Sequence, residues 1–413
     1  MRILVLGNIN SGKSFIINEL KEKFDNYTII QLDDYRKKYS DGSINGEQRA
    51  RQIFVENVLQ NNNCLVEFTG LGELAVELNN LLHNKSYLIL ETVYPSVDKL
   101  VERIDRKKFD NIPYPFKCET IEQTIYRLDK EIENQQLGKI WKEKSLGWIK
   151  VEKLSLDALL LIKNYSVLYD VCQILINEDS VREIITFGSL ARYEVTPSSD
   201  FDLALVTTKS IQDISRLIYQ AYKFDFWDII DNKITLYKGG LLIEIFVVKS
   251  FEDIAWFYYN SNVDNIKSSI IKGGDSTKKH ILKCLCKYSI DTEQKVNDTI
   301  KRVVYFILSL QNIMDKNDEY KFVFHSNIIV HELLKLLKFI EGDFNYDYLP
   351  KNTNDIFSYM RNEGLLYHYS DKKEYINTVA NFAIDLLGKF DSKYIMYKGV
   401  LAKYLDMIKG ENI

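Results

Sequence analysis

Ile185-Thr186-Phe187-Gly188-Ser189-Leu190-Ala191-Arg192-Tyr193-Glu194-Val195-Thr196-Pro197-Ser198-Ser199-Asp200-Phe201-Asp202-Leu203 reads as a strand, a Gly-Ser turn at a helix start, and two aspartates at i and i+2 entering a second strand. Residues two apart on a strand share a face, ~6.6 Å apart along it, so both carboxylates can converge on metal ions while Phe201 packs behind them. This predicts a Mg2+ site for phosphoryl transfer, where one ion activates the attacking oxygen and another stabilises a pyrophosphate leaving group. Upstream, a helix beginning near Ser155 places Leu159, Ile162, Tyr165, Leu168, Tyr169 and Cys172 at helical spacing. Strands are expected at 183–187, 201–206 and 241–248, close enough to form one sheet of α+β pattern. Inside the last of these, Glu244 is an acid in an otherwise apolar run; it needs a partner, and a divalent ion is a sufficient one.

A second motif stands at the other end of the chain. Gly7-Asn8-Ile9-Asn10-Ser11-Gly12-Lys13-Ser14 matches G-x-x-x-x-G-K-[ST] and sits after an apolar strand and before a helix, as such a loop requires. The backbone N–H groups of Gly7, Asn10, Ser11, Gly12 and their neighbours would then cradle the phosphates of ATP, helped by the helix dipole. Lys13 would bridge the β- and γ-phosphates, and the Ser14 hydroxyl would ligate Mg2+. Expected strands at 3–6, 29–32, 64–68 and 87–91 alternate with helical patterns at 14–24 and 49–59, which implies a parallel sheet with helices on both faces. Gln31-Leu32-Asp33-Asp34-Tyr35-Arg36 falls at the end of the second strand, where a carboxylate can deprotonate a hydroxyl beside the phosphates. A helical pattern at 121–134 closes this segment, and 135–150, with Gly138 and Gly147, reads as a linker.

From these motifs two resemblances follow. Residues 1 to about 135 resemble the polynucleotide kinase and zeta-toxin-like group of P-loop kinases, in which an Asp-Asp-Tyr-Arg run follows the second strand. The resemblance implies that Asp33 is the general base toward an acceptor hydroxyl and that Arg36 contacts the acceptor's phosphate or another anionic group. It also implies an acidic residue at Glu67, and an arginine-bearing lid at Val101-Glu102-Arg103-Ile104-Asp105-Arg106, from which Arg103 or Arg106 would neutralise the transferred phosphoryl. The second segment resembles the DNA polymerase β nucleotidyltransferase superfamily, in particular its small antibiotic and minimal nucleotidyltransferases. That likeness implies that Gly188 and Ser189 hold the triphosphate, that Asp200 and Asp202 hold the metals, and that Glu244 is the third carboxylate. Arg192 reads either as a phosphate contact or as a surface residue. At Tyr193 the sequence departs from the family pattern, which usually has Gly there.

Composition bounds the rest. With 413 residues the chain is long enough for two to four domains, expected at 1–150 (α/β, P-loop kinase-like), 151–272 (α+β, nucleotidyltransferase) and 273–413 (all-α, helical). The third region shows long amphipathic patterns at 278–288, 292–314, 328–341, 373–390 and 392–408, read as a bundle in which Tyr305 and Phe306 are core by default. In the small nucleotidyltransferases such a helical domain closes over the cleft. Lys+Arg total 54 against 58 Asp+Glu, net −4, so no broad positive field is available to hold long duplex DNA. A small molecule or an RNA end remains as the acceptor.

The five cysteines (Cys64, Cys118, Cys172, Cys284, Cys286) are scattered, without zinc-knuckle spacing, and read as reduced thiols of a cytoplasmic protein. His280, His325, His331 and His368 make no metal-spaced set and read as surface or packing residues. No leader and no run of about 18 apolar residues is expected, hence no membrane partner. The sequence leaves the oligomeric state open. The expected activity is bifunctional: an ATP-dependent kinase acting on a hydroxyl, and a Mg2+-dependent transferase moving NMP from an NTP of unspecified base to a hydroxyl or phosphate. The alternatives are a transferase gated by a nucleotide-sensing P-loop domain, or a toxin-type module that nucleotidylates a protein.

Overall fold

The computed structural model describes residues 1–105, 111–114, 119–231, 233–261, 263, 265–287, 291–344, 353–367, 371–390 and 392–409. Two compact units result, Met1–Lys287 and Tyr288–Ile413.

In the first unit, β1 (Arg2–Leu6), α1 (Lys13–Lys23), β2 (Thr28–Gln31), α2 (Leu32–Tyr39), α3 (Ile44–Gln60), β3 (Cys64–Glu67), α4 (Gly72–Leu81), β4 (Tyr87–Thr92), α5 (Val97–Val101), α6 (Ile121–Glu133), α7 (Gln136–Trp141) and β5 (Gly147–Val151) follow in order. The sheet is wholly parallel, in the order β2-β3-β1-β4-β5. β1 is central and buried throughout, the continuous apolar run expected of a parallel strand covered on both faces. Alternation divides its side chains: Ile3 and Val5 enter one apolar core, Leu4 and Leu6 the other.

The stretch expected as a linker, 135–150, is instead built into this sheet. Trp141 is fully buried with its ring edge-on to Phe68 and Tyr87, and β5 pairs parallel with β4. Gly147 marks close packing rather than flexibility, because a Cβ there would lie 2.3 Å from the Tyr165 ring.

The chain continues through α8 (Leu156–Ile176), β6 (Val181–Phe187), α9 (Gly188–Arg192), β7 (Phe201–Thr207), α10 (Ile211–Ala221), β8 (Phe226–Ile230), β9 (Lys233–Lys238), β10 (Leu241–Val248), a 3-10 turn (Phe251–Asp253), α11 (Ala255–Asn260), α12 (Ile266–Ser269), β11 (Ile270–Lys272) and α13 (Asp275–Leu285). This second sheet is mixed, β11-β6-β7-β10-β9-β8, with β7 and β10 parallel and the other pairs antiparallel. β8 and β9 were not expected from the sequence; β8 is an edge strand that stays largely exposed although Phe226, Trp227, Ile229 and Ile230 are apolar.

α8 packs against β5 of the first sheet and β6 of the second, and its Ile162, Tyr165, Leu168 and Cys172 join one core shared by both sheets. At ~1.5–3 kcal/mol for each fully buried large apolar side chain, this face binds the two sheets into one body. Among the described residues α8 is also the one helix whose length and composition would suffice to cross a membrane.

The second unit holds α14 (Thr292–Asp315), α15 (Glu319–Ile340), α16 (Asn354–Asn362), α17 (Lys372–Leu387) and α18 (Ile395–Lys409). Asp291, Asp318 and Asp371 cap the starts of α14, α15 and α17 with side-chain carboxylates. Ile300, Ile307, Leu333 and Val379 are fully buried in its own core. Phe306 packs partly against that core, whereas Tyr305, expected inside, is exposed.

Candidate functional site

The carboxyl ends of β1 to β4 open into a cleft of about 920 Å³ whose lining includes Lys13, Asp33, Arg36, Glu67, Arg103 and Tyr114. Ligands of open α/β sheets bind at such strand ends. The loop between β1 and α1 turns through Asn10 and Gly12 in left-handed conformations. Lys13 folds its ammonium back onto the loop, donating to the carbonyls of Asn8 (2.6 Å) and Gly7 (3.2 Å), so the charge is held at the mouth of the nest. Ser14 donates to Glu67 Oε1 at 2.8 Å, and Gln31 to the other oxygen of the same carboxylate. A hydroxyl and a carboxylate side by side are the hard oxygen donors that Mg2+ takes.

Asp33 lies in the first turn of α2, not on the strand end itself. Its carboxylate accepts from Arg36 Nη1 at 3.0 Å and from the Tyr114 hydroxyl at 3.1 Å. Arg36 in turn is held by Glu47 of α3 through Nε (3.0 Å) and Nη2 (2.7 Å), and Arg51 donates to the same Glu47 at 2.7 Å. Burial would lower the Arg36 pKa, but the bond and charge of Glu47 outweigh it and raise it. Burial would likewise raise the Glu47 carboxyl, yet Arg36 and Arg51 hold it below the ordinary range.

Glu47 is therefore the residue that sequence reasoning missed. The signal was present: Glu47 shares the buried stripe of α3 with Ala50, Phe54 and Val58, and a charge on such a stripe needs a partner. Arg103 donates to the Asn10 carbonyl at 3.1 Å and Asn10 to that of Leu100 at 3.0 Å, tying the segment around α5 to the phosphate loop. Arg106, the other lid candidate, lies outside the described residues.

In the mixed sheet one register line carries the second site. Phe187, Asp202 and Glu244 stand abreast on β6, β7 and β10, and the carboxylates of Asp200, Asp202 and Glu244 each offer an oxygen within 4.8 Å of the others. Phe201 points the other way, fully buried against Tyr165. Gly188 opens α9 at φ +63°, and a Cβ there would stand 2.5 Å from Asp202 Oδ2. Only glycine lets the carboxylate lie over the turn. We expect Gly188→Ala to cost about 1–3 kcal/mol through backbone strain and to lower nucleotidyl transfer by displacing Asp202; thermal unfolding and initial rates check the two parts.

The Ser189 hydroxyl oxygen is buried with no hydrogen-bond partner among the described residues, as an oxygen awaiting a ligand would be. Glu244 has the partner its strand demands, the Lys233 ammonium at 2.6 Å, so its burial does not by itself require an ion. Arg192 donates to Glu194 at 2.7 Å and to the Ser261 carbonyl, with little of its side chain exposed.

Tyr193, where the family usually has Gly, adopts the left-handed conformation a glycine would, at φ +59°. Its ring reaches the first sheet's side of the unit: the hydroxyl donates to the Lys142 carbonyl and receives Lys85 Nζ at 3.2 Å. Lys85 is buried and also donates to the carbonyls of Glu143 (3.0 Å), Ser145 (2.8 Å) and Ser268 (2.5 Å), joining both halves of the unit.

Burial pushes the Lys85 pKa down to about 7, with Glu143 opposing. Below that pH both folded and unfolded chains hold the proton and the whole cost of the buried charge is present. Between about pH 7 and 10 the unfolded chain holds more protons, so this contribution to stability rises with pH. Urea unfolding of wild type and Lys85→Met, compared at about pH 7 and about pH 9, should show wild type gaining relative to the variant as pH rises.

A parallel sheet with a phosphate loop, fused to a mixed sheet with three converging carboxylates, is the architecture of a P-loop kinase-like domain joined to a nucleotidyltransferase domain. Residues 169–271 match the family model described as a nucleotidyltransferase domain. No curated protein matches the chain. Among solved structures, shikimate kinase from Acinetobacter baumannii in complex with shikimate is 15 % identical, covering 40 % of this chain and 91 % of that one at a TM-score of 0.29. Shikimate kinase from Aquifex aeolicus vf5 is 17 % identical, covering 33 % and 99 % at a TM-score of 0.21. Likenesses this remote add nothing to what the strand order and the loop already show.

Proposed function

We propose that the chain is a bifunctional phosphotransfer enzyme: its α/β half transfers the γ-phosphoryl of ATP to a hydroxyl, and its mixed-sheet half transfers NMP from an NTP to a hydroxyl or phosphate. The acceptor is a small molecule or an RNA end. The observation that carries this reading is the convergence of Asp200, Asp202 and Glu244 beside Gly188 and the unpartnered Ser189 hydroxyl.

In the transferase half, Gly188 and Ser189 hold the triphosphate, and the acceptor oxygen attacks the α-phosphorus as the bond to pyrophosphate breaks. Asp200, Asp202 and Glu244 would hold Mg2+, whose all-oxygen preference fits them. When bound, the metal supplies charge neutralisation and a more acidic attacking hydroxyl. In the kinase half, Asp33 takes the acceptor's proton as its oxygen bonds to the γ-phosphorus and ADP leaves. Tyr114 and Arg36 fix the Asp33 carboxylate, Arg36 offers its remaining donors to an anionic acceptor, and Lys13 and Arg103 meet the charge on the phosphates.

One experiment separates the halves. The protein is incubated with Mg2+, each of the four NTPs, and a panel of hydroxylated small molecules and RNA ends, with label at the γ- or the α-position. Acceptor labelling from both positions supports the proposal; labelling from neither sinks it.

A second reading, in which the α/β half senses nucleotide and gates the transferase, draws on the Tyr193 contact. The turn that carries Gly188 and Ser189 runs directly into a side chain clasped by Lys85 and the Lys142 carbonyl.

A further inference from the structure

Away from both clefts, Glu252, His280 and Cys284 bring one carboxylate oxygen, one imidazole nitrogen and one sulfur within 4.8 Å of one another. The sequence separates them and the fold collects them. His280 and Cys284 are four apart on α13 and share its face, while Glu252 comes from the 3-10 turn that packs on that helix. Cys284 is buried, His280 half-buried, and among the described residues neither the His280 ring nitrogens nor the Cys284 sulfur has a side-chain hydrogen bond. Phe251 sets its ring against the imidazole at 6.2 Å and helps to orient it. One Glu252 oxygen faces Lys287 at 3.2 Å and leaves the other available. Cys286, by contrast, is exposed and donates its thiol to the Lys283 carbonyl at 2.9 Å.

A mixed sulfur, nitrogen and oxygen set is what zinc takes, whereas Mg2+ and Ca2+ avoid thiolate. Tetrahedral ligands around zinc stand roughly 3.5 Å apart, close to the spacing within 4.8 Å that these three atoms already have. We propose that Glu252, His280 and Cys284 bind one zinc ion, with water as the fourth ligand, pinning the turn ahead of α11 to α13. As the Zn–S bond forms, the thiol proton passes to solvent. This site is independent of the activities proposed above.

Cobalt(II) tests it, because a cobalt–thiolate bond gives a charge-transfer absorption band that the sulfur-free cluster at Asp200, Asp202 and Glu244 cannot produce. The untagged, chelator-stripped full chain is titrated with Co2+ and then with Zn2+. We expect one equivalent of Co2+ to raise the band, Zn2+ to bleach it, Cys284→Ser to abolish it and Cys286→Ser to keep it. Because Cys284 is buried and its variant could unfold, Glu252→Gln at an exposed position gives a second reading. It should weaken metal affinity by at least about tenfold while circular dichroism stays unchanged. Absence of the band in folded wild type, its survival in Cys284→Ser, or unchanged affinity in Glu252→Gln would each overturn the site.

Discussion

Asp202→Asn should lower transfer of α-label to the acceptor on the order of 1000-fold, since losing a metal-binding charge at the reacting phosphorus removes several kcal/mol of transition-state stabilisation. The substitution is isosteric, and its site is rigid: Asp202 stands between Phe187 and Glu244 on adjacent strands, with Gly188 pressed against its carboxylate. Thermal unfolding should therefore move little. Transfer of γ-label should be untouched, because the phosphate loop sits at the end of the other sheet. Initial rates with the two labels, taken on the same preparation, give both numbers; an Asp202→Asn protein that still transfers α-label at the wild-type rate would remove the carboxylate cluster from the chemistry.

Asp33→Asn should cost the γ-transfer reaction ~100- to 10,000-fold, the range for a general base, while ATP binding persists. The reason for expecting a clean loss lies in the neighbours. Arg36 keeps its two bonds to Glu47 and Tyr114 keeps an acceptor at position 33, so the cleft holds its shape while the proton acceptor disappears. Equilibrium binding of ATP and the γ-label assay, read together, discriminate between the two functional readings. Loss of transfer with binding retained marks a kinase. γ-Transfer that is absent in wild type, with ATP binding altering the rate of α-transfer, marks the sensor; γ-transfer that is indifferent to the substitution would remove Asp33 as the base.

Much of this molecule is legible in its sequence. The loop Gly7 to Ser14 falls between β1 and α1, the strands at 64–67 and 87–92 lie within a residue of where periodicity put them, and Asp200, Asp202 and Glu244 meet as expected. The misreadings have physical causes. Glycines in 135–150 suggested a linker, but Gly147 is small because Tyr165 occupies its Cβ space. The edge strand β8 is apolar in sequence yet largely exposed, and Tyr305, expected inside as an aromatic, lies off the buried stripe of α14 that runs through Ile300, Val303, Val304 and Ile307.

Chemistry confined to a short run of chain could be read from the residues alone, because a phosphate nest or an Asp-x-Asp pair is set by backbone geometry over a few neighbours. What packing alone determined is the set of partners: Glu47 for Arg36, Lys233 for Glu244, Lys85 for Tyr193, and Glu252 for His280 and Cys284. Each joins side chains on separate elements, and nothing in local periodicity says which two surfaces will be brought within 3 to 5 Å of each other.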